Sequence, residues 1–196
     1  MRALLALRAH GLARYGRLRS LPERTGGSCQ IVTFAHGRTP ELWLSGFIVV
    51  ADQVTKALVR AKLPLYESVT VIPGLLDITH ATNSGAAFGI LNGVEFPYKA
   101  VVMVLVALVA LAAVGLYALS LPAEQRVARL GLALILGGAL GNLIDRALVG
   151  HVLDFVDAYW RDYHFWAFNV ADSAITVGVG LMLLDVLGVG RAPKTI

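Results

Sequence analysis

Cysteine is nearly absent: Cys29 stands alone among 196 residues. A single thiol excludes an internal disulfide framework and any cysteine-rich metal site. Its setting, Gly26-Gly27-Ser28-Cys29, has no apolar run before it, so it does not read as a lipidation site. Charge is the second scarcity, at 15% of residues, where an ordinary soluble domain carries about 25%. Two hydrolase signatures are also missing, the HExxH helix of zinc peptidases and the GxSxG nucleophile elbow. His151, Asp154 and His164 lie near one another in sequence without forming a recognised ligand set, and Ser84 and Ser173 have no evident base. No metal and no cofactor is expected.

What is present is apolar. Hydrophobic residues make up 57% of the chain, and the mean hydropathy is +0.68. That is too apolar for a water-soluble domain, and the length allows only a few membrane crossings. The composition predicts a small polytopic membrane protein with one domain. Leu42–Val59 is the first predicted span; its 18 residues rise roughly 27 Å, near the hydrocarbon thickness. Ala100–Leu121 is the second and carries no charge. Leu130–Val149 is the third, with Gly137 and Gly141 in the GxxxG spacing that permits close helix approach. Phe165–Leu187 is the fourth. Between the first two, Tyr66–Ile72 and Leu75–His80 flank a Pro73-Gly74 turn and predict a small extended platform on one membrane face. Residues 150–164 read as a polar connection. The fold class expected is therefore all-α, four transmembrane helices with a small extracytoplasmic β platform.

Basic residues set the orientation. Residues 1–40 form a tail in which Arg2, Arg8, Arg14, Arg17, Arg19, Arg24 and Arg38 face only Glu23. With four spans, this tail, the Arg126/Arg129 loop and the Arg191/Lys194 tail share one side, which the positive-inside rule assigns to the cytoplasm. The tail reads as disordered and attracted to anionic lipid; without aromatic interleaving it does not read as a nucleic-acid site. The membrane domain occupies 41–190 and a short cytoplasmic tail 191–196. Under this topology Asp52, Lys56, Asn142, Asp145, Arg146, Asn169 and Asp172 all fall at the outer ends of their spans, with Asp154 in the outer connection. Asp185 is the exception, near an inner end. Ionisable groups at membrane depth are costly and mark functional sites, so their convergence at one depth predicts a site near the outer face.

Five blocks carry a resemblance: ADQVTK at 51–56, TNSGAAFGIL at 82–91, GGALGNLIDR at 137–146, VLDFVD at 152–157 and FNVADSAI at 168–175. In order and spacing they resemble the motifs of the lipoprotein signal peptidase (signal peptidase II) family, aspartic peptidases of the bacterial inner membrane. The resemblance covers about residues 42–188; the 40-residue tail before the first span departs from it. It implies cleavage of diacylglyceryl-modified prolipoproteins immediately before the lipidated cysteine. By motif position Asp154 and Asp172 match the catalytic pair. Asn83, Gly85, Asn142, Arg146 and Asn169 match residues lining the substrate site, and Asp52 and Lys56 match an architectural motif. Asp145 reads as structural, since Arg146 does not share its helix face. One chain holds the whole set, so a monomer with membrane lipids and prolipoprotein as partners is expected.

The chemistry fits these residue types. Hydrolysis of a peptide bond without a metal or covalent nucleophile needs a base for water and an acid for the leaving amine. Adjacent carboxyls supply both, because like charges in contact resist joint ionisation. Asp154 and Asp172 are 18 residues apart and can meet only if the intervening connection folds back over the fourth span. Asn142 and Arg146 share a face at i,i+4, as do Asn169 and Asp172 at i,i+3. A proton- or ion-coupled transporter using the same acids is the alternative, but its path would need polar groups along the whole crossing. A catalytically silent lipid-binding scaffold is a third reading.

Overall fold

The computed structural model describes residues 39–85, 94 and 96–188. The tail expected over 1–40 lies outside the described residues except for its last two positions, and the C-terminal tail expected over 191–196 lies wholly outside them. Among the described residues, four helices and four strands follow in the order α1 (Thr39–Lys62), β1 (Ser68–Ile72), β2 (Leu76–Asn83), α2 (Lys99–Ser120), α3 (Arg126–Val149), β3 (Val152–Trp160), β4 (Tyr163–His164) and α4 (Val170–Val186). Pro40–Lys62, Lys99–Ser120 and Arg126–Val149 are long and apolar enough to cross a membrane. The fourth expected span is shorter than its hydropathy: α4 has 17 residues, about 26 Å of rise. Phe165–Phe168 stay outside the helix, and Phe168 instead forms an antiparallel bridge with Val156. Apolar side chains extended the sequence pattern upstream, whereas the backbone turns helical only after the Asn169 cap.

Helix α3 is the axis, with α1, α2 and α4 packed around it. Glycine makes this close packing possible on two faces. A Cβ on Gly137 would sit 2.8 Å from the Ser45 carbonyl oxygen of α1, and one on Gly141 2.7 Å from Asp52 Oδ2. The Gly137/Gly141 pair thus receives α1. A second row receives α4: a Cβ on Gly138 would strike the Ala171 carbonyl oxygen, and Gly131 and Gly178 cover each other's backbone in the same way.

The expected platform is a sheet of four strands, ordered β1-β2-β3-β4 and antiparallel throughout. It includes β3, drawn from the segment read as a polar connection. Residues 152–160 (VLDFVDAYW) are rich in β-branched and aromatic types, and β3 pairs with β2 so that Ala81 faces Asp154 and Asn83 faces Val152. The turn from α3 into β3 is made at Gly150, whose φ of 79° is left-handed and whose N–H bonds the Arg146 carbonyl at 3.1 Å. Glycine takes that conformation without strain. The sheet therefore starts directly beside the end of α3.

Candidate active site

Two carboxylates from distant elements meet at this end of the bundle. Asp154 lies on β3, 4% exposed. Asp172 is half-buried in the first turn of α4, where Asn169 and Asp172 form a reciprocal capping box: the Asp172 N–H bonds Asn169 Oδ1 at 2.9 Å, and the Asn169 N–H bonds Asp172 Oδ2 at 3.3 Å. This box fixes the start of α4 and the direction of Asp172 together.

The donors to both carboxylates are neutral. Asp154 Oδ1 accepts from Asn169 Nδ2 at 2.7 Å, and its Oδ2 accepts from Asn83 Nδ2 at 3.2 Å. Asp172 Oδ1 accepts from Asn142 Nδ2 at 2.8 Å. The remaining capacity of the Asn169 amide is shared between the Leu153 carbonyl and Asn142 Oδ1, each at 3.2 Å. Burial, and then the charge of neighbouring Asp172, pushes the Asp154 carboxyl up from 3.8 to about 7, against the opposing pull of Asn83, Asn169 and Lys56. Amide donors orient the two groups without supplying the positive charge that would force both to ionise.

Behind the pair lies a buried ion cluster. Lys56 Nζ is 2.7 Å from Asp52 Oδ2 and 3.1 Å from Asp145 Oδ2, and donates to Asn142 Oδ1 at 3.0 Å. All three ammonium hydrogens have acceptors. Since Lys56 takes the carbonyl side of Asn142, the amide side of that residue is turned toward Asp172. Arg60 Nη2 completes the balance at 2.8 Å from Asp145 Oδ1. The carboxylates of this cluster also tie backbone: Asp145 Oδ2 accepts from the Leu153 N–H at 3.1 Å, and Asp52 Oδ1 from the Ala171 N–H at 3.0 Å. Each of those amides immediately precedes one of the two aspartates. The cluster thus holds β3 and α4 in place as well as α1 against α3.

Arg146 is half-buried and bonds the Gly85 carbonyl at 2.9 Å through Nη2, while the Gly85 N–H bonds Asn83 Oδ1 at 3.0 Å. The expected residues Asn83, Gly85, Asn142, Arg146 and Asn169 are therefore joined to one another and to the carboxylates. Residues 86–91 of the TNSGAAFGIL block lie outside the described residues. Three participants were not picked out from the sequence. Arg60 follows Lys56 at i+4 on the same face of α1, a spacing that could have found it. Gln53, which bonds the Gly141 carbonyl at 3.1 Å, and Lys99, which bonds Ser84 Oγ at 3.0 Å, reach partners remote in sequence. Among the described residues no three His, Cys, Asp or Glu side chains converge as a metal set.

Three helices long enough to cross a membrane and a small antiparallel sheet define a membrane-protein fold that brings two carboxyl groups together at one end. Its residues 44–188 match the family model of signal peptidase (SPase) II. A lipoprotein signal peptidase of Geobacter metallireducens is 50% identical over 139 residues, covering 71% of this chain and 85% of the relative. That of Pseudomonas aeruginosa is 43% identical over 150 residues, 76% of this chain and 88% of the relative. A solved bacterial membrane enzyme, determined by the in meso method at 2.3 Å, superposes with a TM-score of 0.66 at 32% identity, covering 81% of this chain and 94% of that one. The chain belongs to the signal peptidase II family and is an aspartic peptidase of that type.

Proposed function

We propose that this protein removes signal peptides from diacylglyceryl-modified prolipoproteins, cutting before the lipidated cysteine, with Asp154 and Asp172 as the catalytic pair. The observation that carries the reading is that both carboxylates accept hydrogen bonds from neutral amides and lie close enough for the charge of Asp172 to act on Asp154. One proton is then held between them near neutral pH, and the pair titrates as a unit. Water bound between them loses a proton to the ionised carboxylate as its oxygen attacks the scissile carbonyl. The protonated carboxyl gives its proton to that carbonyl oxygen, forming a tetrahedral gem-diol. Collapse returns one hydroxyl proton to a carboxylate while the other carboxyl protonates the departing amide nitrogen, restoring the starting state.

Asn142 and Asn169 orient the two acids, and Asn83, Gly85 and Arg146 form the wall that would meet substrate carbonyls or the lipid ester region. In this reading α4 crosses the bacterial inner membrane as a fourth span, both termini are cytoplasmic and the aspartates lie near the outer face; the basic residues of the Arg126/Arg129 loop support that orientation. One chain contains the complete set, so the enzyme works as a monomer.

The test uses purified protein, a diacylglyceryl-modified prolipoprotein and a gel shift. Wild type is compared with Asp154→Asn and Asp172→Asn at matched folding, with and without a chelator. Cleavage by wild type, indifference to chelator and two dead variants support the pair. Near-wild-type rates in either variant would remove it, and a wild type inert toward lipidated substrate would remove the reading as a whole.

A further inference from the structure

At the end of the bundle opposite the aspartates, α1 and α2 each pack on α3 and leave a groove of about 280 Å³ between them. Its walls include Ser45 of α1, Gly115 and Ala118 of α2, and Leu132 of α3. The Ser45 hydroxyl is satisfied within the protein by the Ala133 carbonyl at 2.8 Å, so the wall offers carbon to an occupant. Gly115 holds the groove open: a Cβ there meets nothing within 4 Å. One end is polar. Arg129 and Glu41 line it, paired at 2.9 Å with only 9% and 19% of their side chains exposed. Glu41 Oε2 is buried and accepts no hydrogen bond among the described residues. A carboxylate oxygen out of water and without a donor is costly, so a donor brought by an occupant would relieve it.

We propose that this groove is a binding site for one membrane glycerophospholipid, its acyl chain lying along Gly115, Ala118 and Leu132 and its headgroup donor, a hydroxyl or ammonium, bonding Glu41 Oε2. Exposed Arg126, one helical turn before Arg129, lies at the same end to meet the phosphate. A transmembrane helix from a second copy or another protein fits less well. Its backbone N–H groups are already bonded internally, and it would leave Oε2 without a donor. The site is separate from the aspartates and takes an intact lipid as a bound component.

Native mass spectrometry of the full chain released from detergent tests this, comparing wild type with Gly115→Leu and with Leu116→Ala, which does not line the groove. Wild type and Leu116→Ala retain about one phospholipid per chain, and Gly115→Leu retains about tenfold less, with thermal melting and peptidase activity unchanged in all three. Gly115→Val, a smaller filling, is read the same way if the leucine variant does not fold. Delipidated wild type then rebinds phosphatidylglycerol or phosphatidylethanolamine at least about tenfold more tightly than diacylglycerol, which lacks the phosphorylated headgroup. Equal lipid retention in Gly115→Leu and wild type overturns the site. Equal affinity for diacylglycerol overturns the headgroup recognition, and dimer masses in place of lipid assign the groove to a second copy instead.

Discussion

Lys56 carries more of the site than its distance from the chemistry suggests. Its ammonium satisfies two buried carboxylates and fixes which way the Asn142 amide faces. Lys56→Met would leave Asp52 and Asp145 with only Arg60 between them and no charge at the centre. Removing one partner of a buried ion pair costs about 3–5 kcal/mol; a matching loss is expected in the detergent unfolding of Lys56→Met, and a loss below about 1 kcal/mol would show the cluster to be dispensable. Asp154 gives a second expectation. Its carboxyl, raised from 3.8 to about 7 in the fold, holds a proton across a range where the unfolded chain has released it. Stability therefore falls as pH rises through that window, by a total on the order of 4 kcal/mol at about 1.36 kcal/mol per unit. Asp154→Asn should reduce this slope and melt higher than wild type at pH about 8. For the same reason cleavage should decline as pH rises through about 7 and the pair loses its shared proton; a kcat/KM flat from pH about 6 to about 9 would contradict it. At this scale the sequence was partly readable. Asp52 and Lys56 are one helical turn apart and their pairing follows from spacing, but that Lys56 also reaches Asn142 does not, since those residues are 86 apart.

The elements place the acids by backbone contact rather than by side-chain reach. Helix α4 can bring Asp172 to the site only because Gly138 lets the Ala171 carbonyl approach α3 so closely. Gly138→Ala should push α4 outward, break the Asn142–Asp172 hydrogen bond and lower cleavage at least about tenfold. Gly180→Ala on the same helix meets nothing within 4 Å and should be close to neutral. Similar activity in the two variants would show that the α3–α4 spacing is not needed. The GxxxG spacing of Gly137 and Gly141 announced a close helix contact, but spacing alone names no partner, and it is α1 that sits there. Strand β3 escaped the sequence reading because its residues 152–155 are buried on both faces. The alternation that marks a half-exposed strand is lost there, while two aspartates make the segment look like loop. The start of α4 was legible in principle: Asn169 followed three residues later by Asp172 is a capping pattern, overridden by the apolar run Phe165–Phe168 upstream.

On the scale of the molecule, the expected topology has a direct test. Both termini in the cytoplasm puts Cys29, the single cysteine, inside. A membrane-impermeant maleimide should leave Cys29 unlabelled in intact spheroplasts and label it after lysis. In a Cys29→Ser background, Asp162→Cys in the turn between β3 and β4 should label without lysis; the reverse pattern would invert the orientation. The sequence by itself determined the membrane character, the three longest helices and the polar residues that the fold gathers at one end of the bundle. These are properties of local composition and helical period, and they survive without knowledge of contacts. Only the tertiary structure decided that β3 returns beside the start of α4, that Asn142 and Asn169 bridge the two acids, and that a groove opens at the far end beside Glu41 Oε2, an oxygen with no donor among the described residues. The physical reason is separation along the chain: the 18 residues between Asp154 and Asp172 are closed by Leu153 and Ala171 amides bonded to Asp145 and Asp52, and such backbone anchors have no signature in a one-dimensional pattern.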